Sequence, residues 1–213
     1  MKMLALDFSS SQRSVAVANG SGAISEAVET GAQGMQAFRM IETALQQAEL
    51  EREQIECIVI GLGPGSYTGI RAALSIAQGW QLGRGVKLLG ISSVAAIAHE
   101  AQAEKIHGKV NIIVDAQRNE LYFATYQISA GGVEEITPLH IVGRAGIPDG
   151  LDEIFVGPEV ARWFPSGQTL LPRAATLARL ARGRTDFVPG EKLEPIYLRE
   201  TAFVKAPPSR IIS

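Results

Sequence analysis

The residues best placed to do chemistry fall in two short stretches. One, Gly61-Leu62-Gly63-Pro64-Gly65-Ser66-Tyr67-Thr68-Gly69-Ile70-Arg71, lies between an apolar run and a helical pattern. Glycine there permits positive φ and close backbone approach, proline stiffens the turn, and amides at a helix N-terminus can hold an anion. Gly63, Gly65, Ser66 and Thr68 are therefore candidate anion- or nucleotide-binding residues, set against the plainer reading of a tight strand–helix turn. The common nucleotide fingerprints fail. No Lys completes a Walker loop, and residues 80–88 carry no Asp or Glu to grip a ribose. The other stretch, Asp7-Phe8-Ser9-Ser10-Ser11, is a strand ending in a carboxylate followed by hydroxyls. Asp7, Ser9 and Ser10 are its candidates, the carboxylate for Mg²⁺ and the hydroxyls for phosphate.

Metal and thiol chemistry find little support. His99, His107 and His140 share no ligand spacing, so no metal site is expected. Cys57, inside the apolar run Ile55–Ile60 with no adjacent His, reads as a small core residue in a reducing compartment. Arg71 is out of place in the first turn of a helix, where a cation opposes the dipole by roughly 0.3–1 kcal/mol. It calls for a partner, either a carboxylate across an interface or a bound anion. Further along, Ala72, Ser75, Gly79 and Gly83 make a ridge of small residues. A glycine inside a helix costs about 0.8–1 kcal/mol relative to alanine, and close packing by another helix, of this chain or of a partner, is one reason to keep it. Arg162, Arg173, Arg179, Arg182 and Arg184 follow Glu159 with no acid before Asp186. They are either a phosphate-contacting cluster or a solvated helix face.

The elements that must position these residues are legible in outline. The 213 residues are 46% apolar, and 20 Lys+Arg against 22 Asp+Glu give a net charge of −2, which fits a folded chain and argues against a globally basic nucleic-acid binder. Lys2 and Asp7 interrupt any signal-peptide core, and no 18-residue apolar stretch exists, so the expectation is a soluble cytoplasmic protein without membrane contact. Strands are expected at 3–7, 14–18, 23–28, 56–61 and 86–91. One helix starts at Met35, with Met35, Phe38, Ile41, Leu45 and Ala48 on one face and Arg39, Glu42 and Gln46 beside it. Others run over 68–82 and from Ser92 to near Lys105.

The second half echoes the first. Ile112–Asp115, a turn over Ala116–Glu120, then Leu121–Tyr126 and Glu134–Val142 repeat a strand ending in Asp, a turn containing Gln-Arg, and two more strands. A duplicated three-strand meander followed by helices explains this, as does the plain recurrence of strand–turn–strand in α/β proteins. The Asp7 turn resembles the phosphate hairpin of actin-like ATPases. Its counterpart, Asp115-Ala116-Gln117-Arg118-Asn119, lacks the glycine such folds use.

Five stretches in order resemble the TsaB (YeaZ-type) family: Leu4-Ala5-Leu6-Asp7-Phe8-Ser9, Gly63 to Arg71, Gly90-Ile91-Ser92-Ser93, Asp115 to Tyr122, and Pro195-Ile196-Tyr197-Leu198-Arg199. The resemblance implies an α/β, duplicated actin-like ATPase (RNase H-like) fold, with subdomains 1–106 and 107–213, each a mixed sheet with flanking helices. It implies a non-catalytic subunit in making threonylcarbamoyladenosine beside the anticodon of tRNAs that read codons starting with A. Such a subunit pairs with a related catalytic subunit, TsaD, which transfers threonylcarbamoyl from threonylcarbamoyl-adenylate. A P-loop ATPase, TsaE, joins the assembly, and tRNA is met through the complex. No cofactor is implied for the chain itself, with ATP or Mg²⁺ only at the level of the complex. The implied docking helices correspond to 35–49 and 68–82, which makes Met35, Phe38, Arg39, Glu42, Arg71, Ala72, Ser75, Gly79 and Leu82 the candidate partner-binding residues. A homodimer is expected when the chain is alone. The chain departs from the family at Gln33-Gly34, where a His-Ser pair usually starts the first helix. Two alternatives stay open, an active actin-like ATPase or phosphotransferase and, behind it, a peptidase.

Overall fold

The computed structural model describes residues 1–31, 36–147 and 153–199. Five strands form the first sheet: β1 (Met3–Asp7), β2 (Gln12–Ala18), β3 (Ile24–Thr30), β4 (Cys57–Gly61) and β5 (Lys87–Ile91), in the order β3-β2-β1-β4-β5. The meander β1–β3 is antiparallel, while β4 and β5 add in parallel through helical crossovers. The second sheet repeats this plan with β6 (Gly108–Asp115), β7 (Glu120–Ser129), β8 (Gly132–Gly143), β9 (Ile154–Gly157) and β10 (Gln168–Thr169), in the order β8-β7-β6-β9-β10. Its antiparallel and parallel pairs fall at the equivalent positions. The fold is thus a duplicated actin-like α/β fold of two mixed sheets. A cut between 106 and 107 separates the strands of one from those of the other.

The period of two along the first sheet sorts side chains onto two faces, each with its own core. Leu4, Leu6, Val15, Val17, Ile58 and Ile60 face α1 (Ala37–Gln47) and α2 (Tyr67–Arg84). On the other face Ala5, Ala16, Ala18 and Cys57 sit with α4 (Ala174–Leu180) and with Ala96 of α3 (Ser93–Ala103). Small residues on that face let α4, itself mostly Ala and Leu, lie close to the sheet. Helices cross between the halves. The C-terminal α4 packs on β1 and β2, and α3 turns Val94, Ile97, Ala98 and Ala101 onto the second sheet.

The C-terminal helix is fixed by polar groups of the first sheet. The Ala174 amide donates to Ser14 Oγ at 2.7 Å and the Ala175 amide to Glu26 Oε1 at 3.0 Å, which satisfies free helix donors with a carboxylate at the favourable end of the dipole. Arg173 Nε donates to the other oxygen of the same Glu26 at 3.0 Å. None of β9, β10 or α4 carried a periodic signal, since β10 is two residues long and α4 seven.

Candidate functional site

The first candidate stretch is organised around Asp7, whose side chain is fully buried at the end of β1. Its Oδ1 accepts from the Ser9 amide at 2.9 Å and Ser9 Oγ at 2.7 Å, and its Oδ2 from Ser93 Oγ at 2.8 Å. Burial pushes the carboxyl above its ordinary value, and these donors pull it part of the way back. Ser93 in turn receives the Gly63 amide at 3.2 Å and gives its own amide to the Gly63 carbonyl at 2.9 Å. Asp7 therefore ties β1, the glycine loop and the start of α3 together, with its oxygens turned inward. Ser10, also buried, uses its hydroxyl on Gln12, donating to the carbonyl at 2.8 Å and accepting from the amide at 3.2 Å.

The glycine loop presses on this turn backbone to backbone. The Ser66 amide donates to the Ser9 carbonyl at 2.7 Å. A Cβ on Gly65 would fall within the van der Waals radius of that same carbonyl oxygen, and a Cβ on Gly69 would meet the Phe8 carbonyl likewise. Gly65 also stands at φ +146° and Gly63 at +84°, in the left-handed region. Close approach and turn geometry thus account for the glycines. Ser66 then caps α2 by accepting from the Gly69 amide at 3.3 Å, so the helix starts at Tyr67, one residue before the expected Thr68. Thr68 is exposed beside it.

A cleft of about 650 Å³ opens between the two Asp turns, lined among others by Ser10, Gly65, Ser66, Tyr67, Asp115, Gln117, Tyr122, Glu159 and Arg162. Asp115 accepts from the Gln117 amide at 2.7 Å and pairs with Arg162 at 2.9 Å. Burial pushes the Glu159 carboxyl up, with the Asp115 charge adding to it and Arg162 opposing. The sequence gives no reason to place Glu159 and Arg162 beside Asp115, because only the duplicated topology brings the end of β9 next to the turn after β6. Burial pushes the Cys57 thiol up to about 11, as befits a core residue.

The partner-face candidates divide differently from the sequence pattern. Along α1 the packed residues are Ala37, Met40, Ile41, Ala44 and Leu45. Phe38 is not packed with Ile41 and Leu45; it stands at the edge of that stripe and projects outward at 66% exposure. Arg39 donates to Gln36 Oε1 at 3.1 Å, and Glu42 pairs with Arg52, all on the exposed side. Met35 and Gln33-Gly34 lie outside the described residues. Along α2, Ile70, Ala73, Leu74 and Ala77 are buried, while Ser75, Gly79, Leu82 and Gly83 are exposed and Ala72 is half-buried. Ser75 Oγ donates back to the Arg71 carbonyl at 2.9 Å. Apart from the helix's own backbone and the adjoining residues, no atom of the described residues lies within 4 Å of where a Cβ on Gly79 or Gly83 would stand. No other helix of the described chain covers this ridge. Leu82 is 89% exposed. Within the chain Arg71 finds an aromatic partner in place of a carboxylate, bonding the Tyr67 hydroxyl with its guanidinium 4.9 Å from that ring's centre.

The arginine run is not one helix face, because each cation has a different local partner. Arg162 meets Asp115, Arg173 meets Glu26, Arg179 donates to Thr176 at 2.7 Å, Arg182 to the Gly22 carbonyl at 2.7 Å, and Arg184 pairs with Asp186. His99 lies on α3, His107 just before β6 and His140 on β8, and among the described residues no group of three or more His, Cys, Asp or Glu converges as metal ligands.

A family model described as "TsaD: tRNA N6-adenosine threonylcarbamoyltransferase" matches residues 34–142, half of the chain. The tRNA threonylcarbamoyladenosine biosynthesis protein TsaB of Escherichia coli K12 is 28% identical over 192 residues, covering 80% of this chain and 82% of that protein. The structure of YeaZ from Pseudomonas aeruginosa superposes with a TM-score of 0.80 at 26% identity, covering 92% of this chain and 99% of that one. The chain belongs to the TsaB (YeaZ-type) family. A second Pseudomonas aeruginosa structure, described as an uncharacterized protein with similarity to peptidase YEAZ, has a TM-score of 0.79 at 26% identity over 93% of this chain. In this TsaB-family chain the family's glycine block is the packing seam described above. No helix among the described residues is long and apolar enough to cross a membrane.

Proposed function

We propose that this TsaB-family chain acts in the biosynthesis of threonylcarbamoyladenosine in tRNA, as a non-catalytic subunit that pairs with and supports a TsaD-type catalytic subunit. The TsaE-type ATPase and tRNA then join through that pair, and the chain self-pairs when alone. One observation carries the reading. α2 presents a ridge of small residues with open space above it, flanked by the bare side chain of Leu82, and Phe38 of α1 is bare on the same side of the first sheet. Exposed apolar surface beside a helix cleared for close approach suits a helical partner. Arg71, Arg39 and Glu42 supply the polar rim. The fully bonded, inward-facing Asp7 supports the non-catalytic part of the reading over an ATPase built on that carboxylate.

Gly79→Leu tests the face, because beyond its own helix nothing among the described residues lies within 4 Å of where its side chain would start. The variant should melt like the wild type, lose binding to the TsaD-type subunit by calorimetry, and lose tRNA modification in the reconstituted system. Undiminished pairing by a folded Gly79→Leu chain would place the partner elsewhere.

A further inference from the structure

The Pro195–Arg199 motif is not among the candidate partner-face residues, yet the segment around it is held across the molecule at several points. Starting on the first sheet, the Val188 amide donates to the Leu88 carbonyl at 3.0 Å. The Gly190 amide donates to Gln81 Oε1 at 2.7 Å, and Gln78 Nε2 donates to the Gly190 carbonyl at 2.8 Å, so two side chains of α2 hold the segment. Leu193 is buried in the α1–α2 core, and the Ile196 amide donates to the Leu62 carbonyl at 2.9 Å. Tyr197 then stacks on Tyr67, at 5.5 Å between ring centres and 26° between planes, on the ring that Arg71 also covers. Arg199 ends the run on the second half. Its guanidinium donates to the Ala116 carbonyl at 2.9 Å and the Gln117 carbonyl at 3.4 Å, and pairs with Glu120.

The turn that Arg199 grips needs holding. Gln117, Arg118 and Asn119 stand in succession at φ +64°, +57° and +62°, a left-handed run without glycine. The turn is also closed by its own backbone, the Ala116 amide donating to the Glu120 carbonyl at 3.0 Å and the Glu120 amide to the Gln117 carbonyl at 3.1 Å. It is held as well by the Gln117 amide on Asp115 and by the Arg144 amide on the Asn119 carbonyl at 3.2 Å. Arg199 is the contact to it that comes from the strap. A planar fork suits this task, since it can reach two carbonyls and a carboxylate at once.

We infer that residues 188–199 are a strap that couples the exposed face of α2 to the left-handed turn at 116–120, with Tyr197 as the joint and Arg199 as the positioning residue for the turn. The strap spans the two halves beside the cleft, so stiffening α2 stiffens the turn, and the coupling runs equally in reverse. The partner part of this inference rests on the docking face proposed above; the strap itself does not.

Hydrogen exchange of the full chain, at a concentration low enough to keep it monomeric, separates the two. In the free protein, Arg199→Gln and Tyr197→Ala should each speed exchange at 116–120 by about tenfold or more, with β1, β4 and β6 unchanged and the melting temperature retained. Tyr197→Phe keeps the ring and should match the wild type. Binding of the TsaD-type subunit should slow exchange at α2 and at 116–120 in the wild type, and at α2 alone in Tyr197→Ala. Unchanged exchange at 116–120 in free Arg199→Gln would overturn the strap. Protection of α2 without protection of 116–120 in the wild type would overturn the coupling and leave the docking face standing. A partner that binds without protecting α2 would remove the docking face, and the free-chain comparison would still decide the strap.

Discussion

The two halves end their first strands in the same residue and use it differently. Asp7 is sealed in the core, bonded to Ser9 and Ser93 and roofed by glycines that admit no side chain. Asp115 lies at the cleft, shared between a turn amide and the exposed Arg162. The first half also carries α1 and α2, whereas the described connections of the second are the short turns Arg144–Gly146 and Val160–Arg162. Duplication preserved strand order in both sheets while packing demands diverged. One aspartate is a structural tie and the other lies at the cleft, and α1 and α2 of the first half leave an exposed surface.

That contrast can be broken most severely at the seam. Gly65→Ala puts a methyl group into the Ser9 carbonyl at a positive φ, and should cost roughly 3–5 kcal/mol in urea unfolding, overpacking and backbone strain acting together. Next comes the pair of aspartates. Asp7→Ala strands the buried donors of Ser9 and Ser93 and should cost about 2–4 kcal/mol, while Asp115→Ala should cost about 1 kcal/mol, because Arg162 is solvated. Equal costs would mean the two turns are equivalent after all. Gly79→Ala works in the opposite direction. With open space above a helical glycine, it should raise stability by about 0.8–1 kcal/mol, seen as a higher melting temperature.

The smallest effect is in pH. Asp7 has its folded value raised above 3.8 by burial, so the folded state holds that proton more tightly than the unfolded chain does. Its contribution is therefore complete below 3.8 and declines as pH rises through the raised value. The stability advantage of wild type over Asp7→Asn should shrink as pH is raised from about 4 towards 7, and a widening gap would reverse the sign assigned to burial.

Much of this contrast was legible beforehand, and the exceptions have physical causes. β1 was readable to the residue and β4 within one, since a strand buried on both faces is a bounded apolar run. The echo between Asp7 and Asp115 announced the duplication. The glycine block was found for a reason that turned out secondary: residue types announce close approach, but not whether the approaching group is an anion or another backbone. The spacing puts Phe38 on one face with Ile41 and Leu45, but it does not tell which members of that face pack; Ala37, Met40, Ile41, Ala44 and Leu45 do, and Phe38 stays exposed. That Glu159 and Arg162 meet Asp115 depends on contacts between distant segments, which no local pattern carries.

The central claim is that this chain supports catalysis by a partner through the outer faces of α1 and α2. It is tested most directly by reconstituted threonylcarbamoyl transfer to tRNA, supplied with threonylcarbamoyl-adenylate and the TsaE-type ATPase, with and without the TsaD-type subunit. Wild type should be inactive alone and active in the pair, and a chain carrying Phe38→Glu and Leu82→Glu should melt normally yet fail to pair or to support transfer. Transfer by the unaccompanied chain, or full activity of the pair with both charges in place, would contradict the account.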